Sequence, residues 1–278
     1  MSSTEARRLR LACVGDNCID VLHYTAEGRT VRRVGGNAVN VAVQAARQGA
    51  EVRYLGAVGV DPDGELTRRV LVERGVGTEG LVQRPAPTSV TEIEVGPDGE
   101  RSILREDFGA CQGYAPSPAD RETLLEADHV HLGWLDDGGR LRRWLAERGR
   151  SVSQDLSVNA APEDLGVEGL TVAFGSLAGS SGLAESLGCD WLARGARIAV
   201  VTRGAEGATV VTKGGLWHVP AEPVVPVDTT GAGDAFIAGF LLSHLAGAPP
   251  VLAAREGARL GRLACLHEGG FPQLDHVA

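Results

Sequence analysis

The stretch Asp228 to Asp234, D-T-T-G-A-G-D, constrains the fold of this 278-residue chain more than any other. It follows the extended segment Val224-Val225-Pro226-Val227 and opens an apolar run, Ala235 to Leu242. Strand, glycine turn and helix start, in that order, form an arrangement that binds anions. Gly231 and Gly233 allow a sharp turn and a close backbone approach. The exposed amides and the positive end of the helix dipole favour a phosphate there. Asp234 then sets a carboxylate beside that phosphate, where like charges repel. The choice makes sense when the carboxylate takes the proton of a hydroxyl that attacks phosphorus. Asp234 as a mere N-cap is the plainer alternative, but a carboxylate behind an anion-binding turn points to phosphoryl transfer.

The rest of the chain alternates strand and helix signals. Leu11–Val14 reads as a buried strand ending in Gly15-Asp16-Asn17, and Cys18–Tyr24 continues extended. Gly35-Gly36-Asn37 precedes a small-residue helix, Ala38 to Gln48, stopped by Gly49. Val52–Val58 is a strand, and Asp61-Pro62-Asp63-Gly64 turns into an amphipathic helix from Glu65 to about Arg74. Thr91, Ile93 and Val95 alternate with Glu92 and Glu94, turn at Gly96-Pro97-Asp98-Gly99 and return through Arg101–Leu104. That hairpin has one wet face, as befits a small sheet outside the main core. Helices follow at Pro118–Ala127, capped by Ser117, and at Leu141–Arg148. Strands follow at His129–Trp134, Val152–Leu156, Leu170–Phe174, Ile198–Thr202, Thr209–Thr212 and Trp217–Val219. Such alternation implies a mostly parallel sheet with helices on both faces, in one domain spanning 1–278. His129 and His131 share one strand face and read as packing groups, not metal ligands.

Composition narrows the partners. The formal net charge is −9 and aromatics are 4%, which argues against nucleic acid or an anionic membrane surface. Cys13, Cys18, Cys111, Cys189 and Cys265 are scattered, with no C-x-x-C pair, so they read as buried thiols in a reducing compartment. The N-terminus, M-S-S-T-E-A-R-R-L-R, has no apolar signal core, and no apolar run is long enough to span a bilayer. A cytoplasmic protein is expected.

Three segments agree in kind and order: G-G-N-A-V-N-V-A (Gly35–Ala42), T-R-G-A-E-G (Thr202–Gly207) and D-T-T-G-A-G-D. With G-D-N near the start and a hairpin between, they resemble the ribokinase-like, or PfkB, family of carbohydrate kinases along nearly the whole chain. The resemblance implies a three-layer α/β/α sandwich with a small β lid, about 20–34 and 81–108. It implies ATP and Mg2+, with Asp234 as catalytic base and Gly231, Ala232 and Gly233 as an anion hole. Asp16, Gly35, Gly36, Asn37 and Asn40 would hold the sugar. Short Asp and Asn side chains suit polyols because they accept and donate in fixed directions. Thr202, Arg203, Gly204, Gly207 and Ala258 would line the nucleotide site. Asp228, Thr230, Ala264 and Gly269 would hold a monovalent cation such as K+.

One departure stands out. The family's N-x-x-E segment, which helps arrange magnesium, is replaced by F-G-S-L-A-G-S-S-G, Phe174 to Gly182. Glu185 and Asp155 are the nearby carboxylates. The short lid and the segments G-D-N-C-I-D-V and V-D-T-T-G-A-G-D-A-F-I-A-G-F-L resemble most the family's kinases of fructoselysine-like ketose-amines. The implied reaction is ATP-dependent phosphorylation of a primary hydroxyl on a small sugar or ketose-amine. A nucleoside kinase, another sugar kinase of the family (ribose, fructose, ketodeoxygluconate) and a non-catalytic sugar or nucleotide sensor are the alternatives. An apolar face at Thr91–Val95 predicts a homodimer through the lid.

Overall fold

The computed structural model describes residues 8–96 and 101–273. The N-terminal residues 1–7 and the expected turn residues Pro97-Asp98-Gly99 lie outside them. In chain order the elements are β1 (Arg10–Val14), β2 (Cys18–Tyr24), β3 (Arg29–Gly35), α1 (Asn37–Arg47), β4 (Glu51–Gly59), α2 (Pro62–Glu73), β5 (Val76–Arg84), β6 (Val90–Val95) and β7 (Arg101–Asp107). There follow α3 (Pro118–Glu126), β8 (His129–Leu132), α4 (Arg140–Glu147), β9 (Val152–Asp155), β10 (Val172–Ser176), α5 (Ser181–Ala193), β11 (Ile198–Thr202), β12 (Ala208–Thr212), β13 (Gly215–Val219), α6 (Ala232–Leu245) and α7 (Pro250–Ala264).

Among the described residues the main sheet has the order β13-β12-β11-β10-β9-β8-β1-β4-β5. It is parallel from β5 to β11, and β12 and β13 add antiparallel edges. Successive strand residues feed opposite faces, as the two-residue period requires. Leu11, Cys13, Val172, Phe174, Ile198 and Val200 join one core, with Val39 of α1 and Phe236 and Phe240 of α6. Ala12, Val14, Ala173, Ala199 and Val201 join the other, with Leu124 of α3, Leu141 and Leu145 of α4, and Trp191 of α5. The α/β/α layering is therefore written in strand residues buried on both sides. Ser117 caps α3 as expected: its Oγ accepts from Asp120 N at 3.1 Å, and Asp120 Oδ2 accepts from Ser117 N at 3.0 Å.

The lid is a second sheet with the order β3-β2-β6-β7. Its limits differ from those expected. Leu81–Arg84 belongs to β5 of the main sheet, so the second lid segment begins at Val90. The apolar side chains of β6 are also spoken for. Ile93 and Val95 are 8% and 6% exposed and pack with Leu22 of β2, so Thr91–Val95 offers no open apolar face. The exposed apolar groups of the lid are Ile103 and Leu104 on β7, at 62% and 55%. Helices α5 and α7 were not among the expected elements. Val224–Val227, expected to be extended, forms no strand and bends at Val227, and Val225 is 89% exposed.

The chain winds from β1 to β4 and β5 on one side and returns to β8 on the other, so β1 and β8 flank a topological switch point. Loops at the carboxyl ends of parallel strands splay apart at such a point and leave a crevice.

Candidate active site

Asp16 follows β1 and bridges that crevice. Its Oδ1 accepts from Trp134 N, just beyond β8, at 3.1 Å, and its Oδ2 accepts from Asn37 N at 2.7 Å. Burial pushes Asp16 up from the usual carboxylate range, and these amide bonds pull it back. Gly36 is required where it stands. Its φ is +103°, and a Cβ there would sit 2.5 Å from Asn17 Cα. This close approach turns Asn37 inward at the start of α1.

Asn37 and Asn40 then meet the start of α6, nearly two hundred residues away. Asn37 Nδ2 donates to Asp234 Oδ1 and to Asp155 Oδ2, both at 2.8 Å. Asn40 Nδ2 donates to Asp234 Oδ2 at 2.8 Å. Asp234 is 8% exposed. Burial is the main cause that pushes its carboxyl well above the usual range; the Asn40 bond opposes this, and Asp155, Asp16 and Asp20 add to it. A raised carboxylate in hydrogen-bond reach of a cleft has the character of a proton acceptor. The Oδ1 atoms of Asn37 and Asn40 are buried without a hydrogen-bond partner. Such acceptors suit a ligand that brings hydroxyl donors.

Gly231 caps α6 in the left-handed region, at φ 73° and ψ 5°. Gly233 is exposed, with nothing within 4 Å of where its Cβ would be. Of the amides expected to form an anion hole, that of Ala232 is engaged with Thr229 O at 3.2 Å. The turn Thr202–Gly207 closes on itself at the end of β11, where Arg203 N donates to Gly207 O at 2.7 Å. The Arg203 guanidinium folds back onto Glu206, and Gly204 is exposed. Thr202 Oγ1 donates to Gly175 O at 3.2 Å. Ranged across the strand ends are Asp16 after β1, Asp155 on β9 and Thr202 on β11. From β1 to β11 is four strand spacings, about 19 Å.

Asp228 is used to tie loops. Its carboxylate accepts from Thr230 N at 2.6 Å and from Gly269 N at 2.7 Å. Ala264 ends α7 with its side chain packed on Ala235 and Leu260, and it is the next carbonyl, Cys265 O, that accepts from Val227 N and Asp228 N. Ala258 is half-buried against the core. Glu185 pairs with His218 of β13 at 3.2 Å, so it does not stand in for the missing motif. Asp155 does reach the site.

Asp20 is the residue that motif reasoning missed. It is 7% exposed and lies so close to Gly35 that a Cβ there would collide with its carboxylate. Its two-residue alternation with Cys18 and Leu22 along β2 is the available signal, and the side to which that face turns is set by the lid. His129 and His131 are packing groups, bonded to Ser151 and Ser153 at 2.8–2.9 Å.

Known proteins share both fold and sequence with this chain. It is 34% identical over 253 residues to an ATP-dependent ribose-1-phosphate kinase of Halopiger xanaduensis, covering 88% of this chain and 85% of that one. It is 29% identical to a fructoselysine 6-kinase of Escherichia coli, covering 94% and 99%. A ribokinase of Arabidopsis thaliana, solved with ribose and ATP, superposes with a TM-score of 0.82 at 21% identity, covering 95% and 94%. The profile described as pfkB family carbohydrate kinase matches residues 8–142 and 175–275, which include Asp16, Asn37, Asn40 and the Gly231 turn: the chain belongs to the PfkB family of carbohydrate kinases.

Proposed function

We propose that this ATP-dependent kinase phosphorylates a primary hydroxyl of a ketose-amine of the fructoselysine type. The observation that carries the acceptor class is the charge around Asp234. The charges that weigh most on it are those of Asp155, Asp16 and Asp20, all carboxylates. A sugar that already bears a phosphate is repelled from such a pocket, whereas a neutral or cationic acceptor is not.

In this reading Asp234 removes the hydroxyl proton as the oxygen attacks the γ-phosphorus and the bond to the β-phosphate oxygen breaks. Asn37 and Asn40 orient its carboxylate, and their Oδ1 atoms, with Asp16 and Asp20, accept hydrogen bonds from the acceptor's other hydroxyls. The amides of Gly231 and Gly233 stabilise the transferring group, and the Thr202–Gly207 turn with Ala258 borders the nucleotide.

Among the described residues no group of three or more His, Cys, Asp or Glu could hold a metal. That fits Mg2+ carried on the phosphates and met by one or two carboxylates, of which Asp155 is the candidate. The metal would neutralise phosphate charge. Asp228 and the carbonyls of Thr230, Ala264 and Gly269 would offer oxygens to K+. Among the described residues no helix is long and apolar enough to cross a membrane. Free cysteines and use of ATP favour a cytoplasmic setting.

The test supplies ATP and Mg2+ with fructoselysine, ribose 1-phosphate, ribose, fructose and adenosine, and follows ADP release. Fructoselysine should turn over fastest, and Asp234→Asn should lower kcat by about 10²–10⁴-fold. Faster turnover of ribose 1-phosphate would overturn the acceptor class. Tight binding with no turnover of any acceptor would favour a sensor.

A further inference from the structure

The strap Glu268–Gln273 touches the phosphoryl turn, α1 and the lid. Gly269 is held by Asp228, whose other oxygen holds Thr230 in the phosphoryl turn. Gly270 lies against both that turn and α1. A Cβ on Gly231 would sit 2.5 Å from Gly270 Cα, and a Cβ on Gly270 would collide with the Asn40 amide. Gln44 of α1, itself buried, donates to Gly270 O at 2.7 Å. Phe271 is fully buried in the core.

The strap then reaches the lid. Gln273 Nε2 donates to Val34 O at 2.7 Å, and Gln273 Oε1 accepts from Val34 N at 2.9 Å. One residue of a neighbouring strand makes that same pair of bonds; here a side chain makes it on the edge of β3. Glu268 adds ion pairs to Arg29 at 2.9 Å and Arg33 at 3.3 Å on the same strand. Val34 immediately precedes Gly35-Gly36-Asn37. An unpaired edge at this point would leave the loop that carries Asn37 free to fray.

We propose that Gln273 is a positioning residue. By completing the β3 edge at Val34 it fixes the Gly35–Asn37 loop against the Gly231 turn, and the strap makes lid, loop and turn one mechanical unit. Its catalytic meaning rests on the assignment of loop and turn in the proposed function; the mechanical link does not.

Amide hydrogen exchange of the full chain without ligand therefore comes first. Gln273→Ala, which keeps Phe271 in the core, should speed exchange across Arg29–Gly36 about tenfold and leave β9 and β10 unchanged. Asp228→Asn acts on the strap at Gly269 and on the Gly231 turn at Thr230, and it should speed exchange across the same Arg29–Gly36 segment. An Arg29–Gly36 rate within twofold of wild type in Gln273→Ala, or an Asp228→Asn effect that stops at Leu266–Phe271, would overturn the proposal. With whichever acceptor the panel identifies, Gln273→Ala should raise the acceptor KM about tenfold and leave the ATP KM unchanged. An equal rise in both would mark general loosening and overturn the positioning role. A panel without turnover would count against the kinase assignment and leave the exchange result decisive for the strap.

Discussion

Gly231 and Gly233 stand two residues apart in one turn, yet their substitution probes different things. Gly231 has φ +73° and packs on Gly270. Alanine there must adopt a strained backbone and displace the strap. Gly231→Ala should destabilise by about 2 kcal/mol or more, seen as a lower urea midpoint. Gly233 has open space where a Cβ would go. Gly233→Ala should leave stability unchanged or raise it by up to about 1 kcal/mol, while turnover falls about tenfold or more because the methyl group occupies the approach of the transferring phosphoryl. A fully active Gly233→Ala would remove that turn from the mechanism. These glycines are legible in the sequence because turn chemistry is decided by neighbouring residues. Asp155 stands in the sequence only as one of two candidate carboxylates, and its bond to Asn37, which crosses 118 positions, is not legible there.

At the scale of elements, β8 and β9 carry a buried polar seam. His129 and His131 share one face, as the alternation of β8 predicts, and are 1% and 0% exposed. Burial is the main cause that lowers each to about 3, against about 6.5 in an unfolded chain. Both are therefore neutral in the fold. The stability that depends on their neutrality is fully present above pH 6.5 and is lost as pH falls toward 3. The loss should be on the order of 2 kcal/mol per histidine by pH 5. Asp16 and Asp234, raised by burial, act in the opposite sense, so the difference between variants is the clean measurement. Urea midpoints at pH 7 and pH 5 should separate less in His131→Leu than in wild type. An equal separation would mean that His131 is not charged on unfolding in this range. The lid boundary shows where element-level reading fails. Val76–Arg84 and Val90–Val95 are both strand-like, and local pattern cannot say which sheet a strand joins.

The whole molecule decides the assembly. The β3 edge is met at Val34 by Gln273, and the exposed apolar side chains of the lid lie on β7. A lid-to-lid homodimer should therefore form through Ile103 and Leu104. Light scattering should give a dimer mass for the wild type and a monomer mass for Ile103→Asp combined with Leu104→Asp. A monomeric wild type at working concentration would overturn the dimer. The sequence by itself determined the α/β/α class, the glycine turn and the order of motifs, because periodicity, turn residues and helix starts are local physics. Only the tertiary structure decided that Asn37 and Asn40 hold Asp234, that Asp20 and Asp155 join them and that Gln273 closes the lid edge. Those partners lie 118 to 239 positions apart where they are bonded directly. No local propensity sets such a pairing; the sheet order, with its switch between β1 and β8, brings the ends together and fixes which side chains share the crevice.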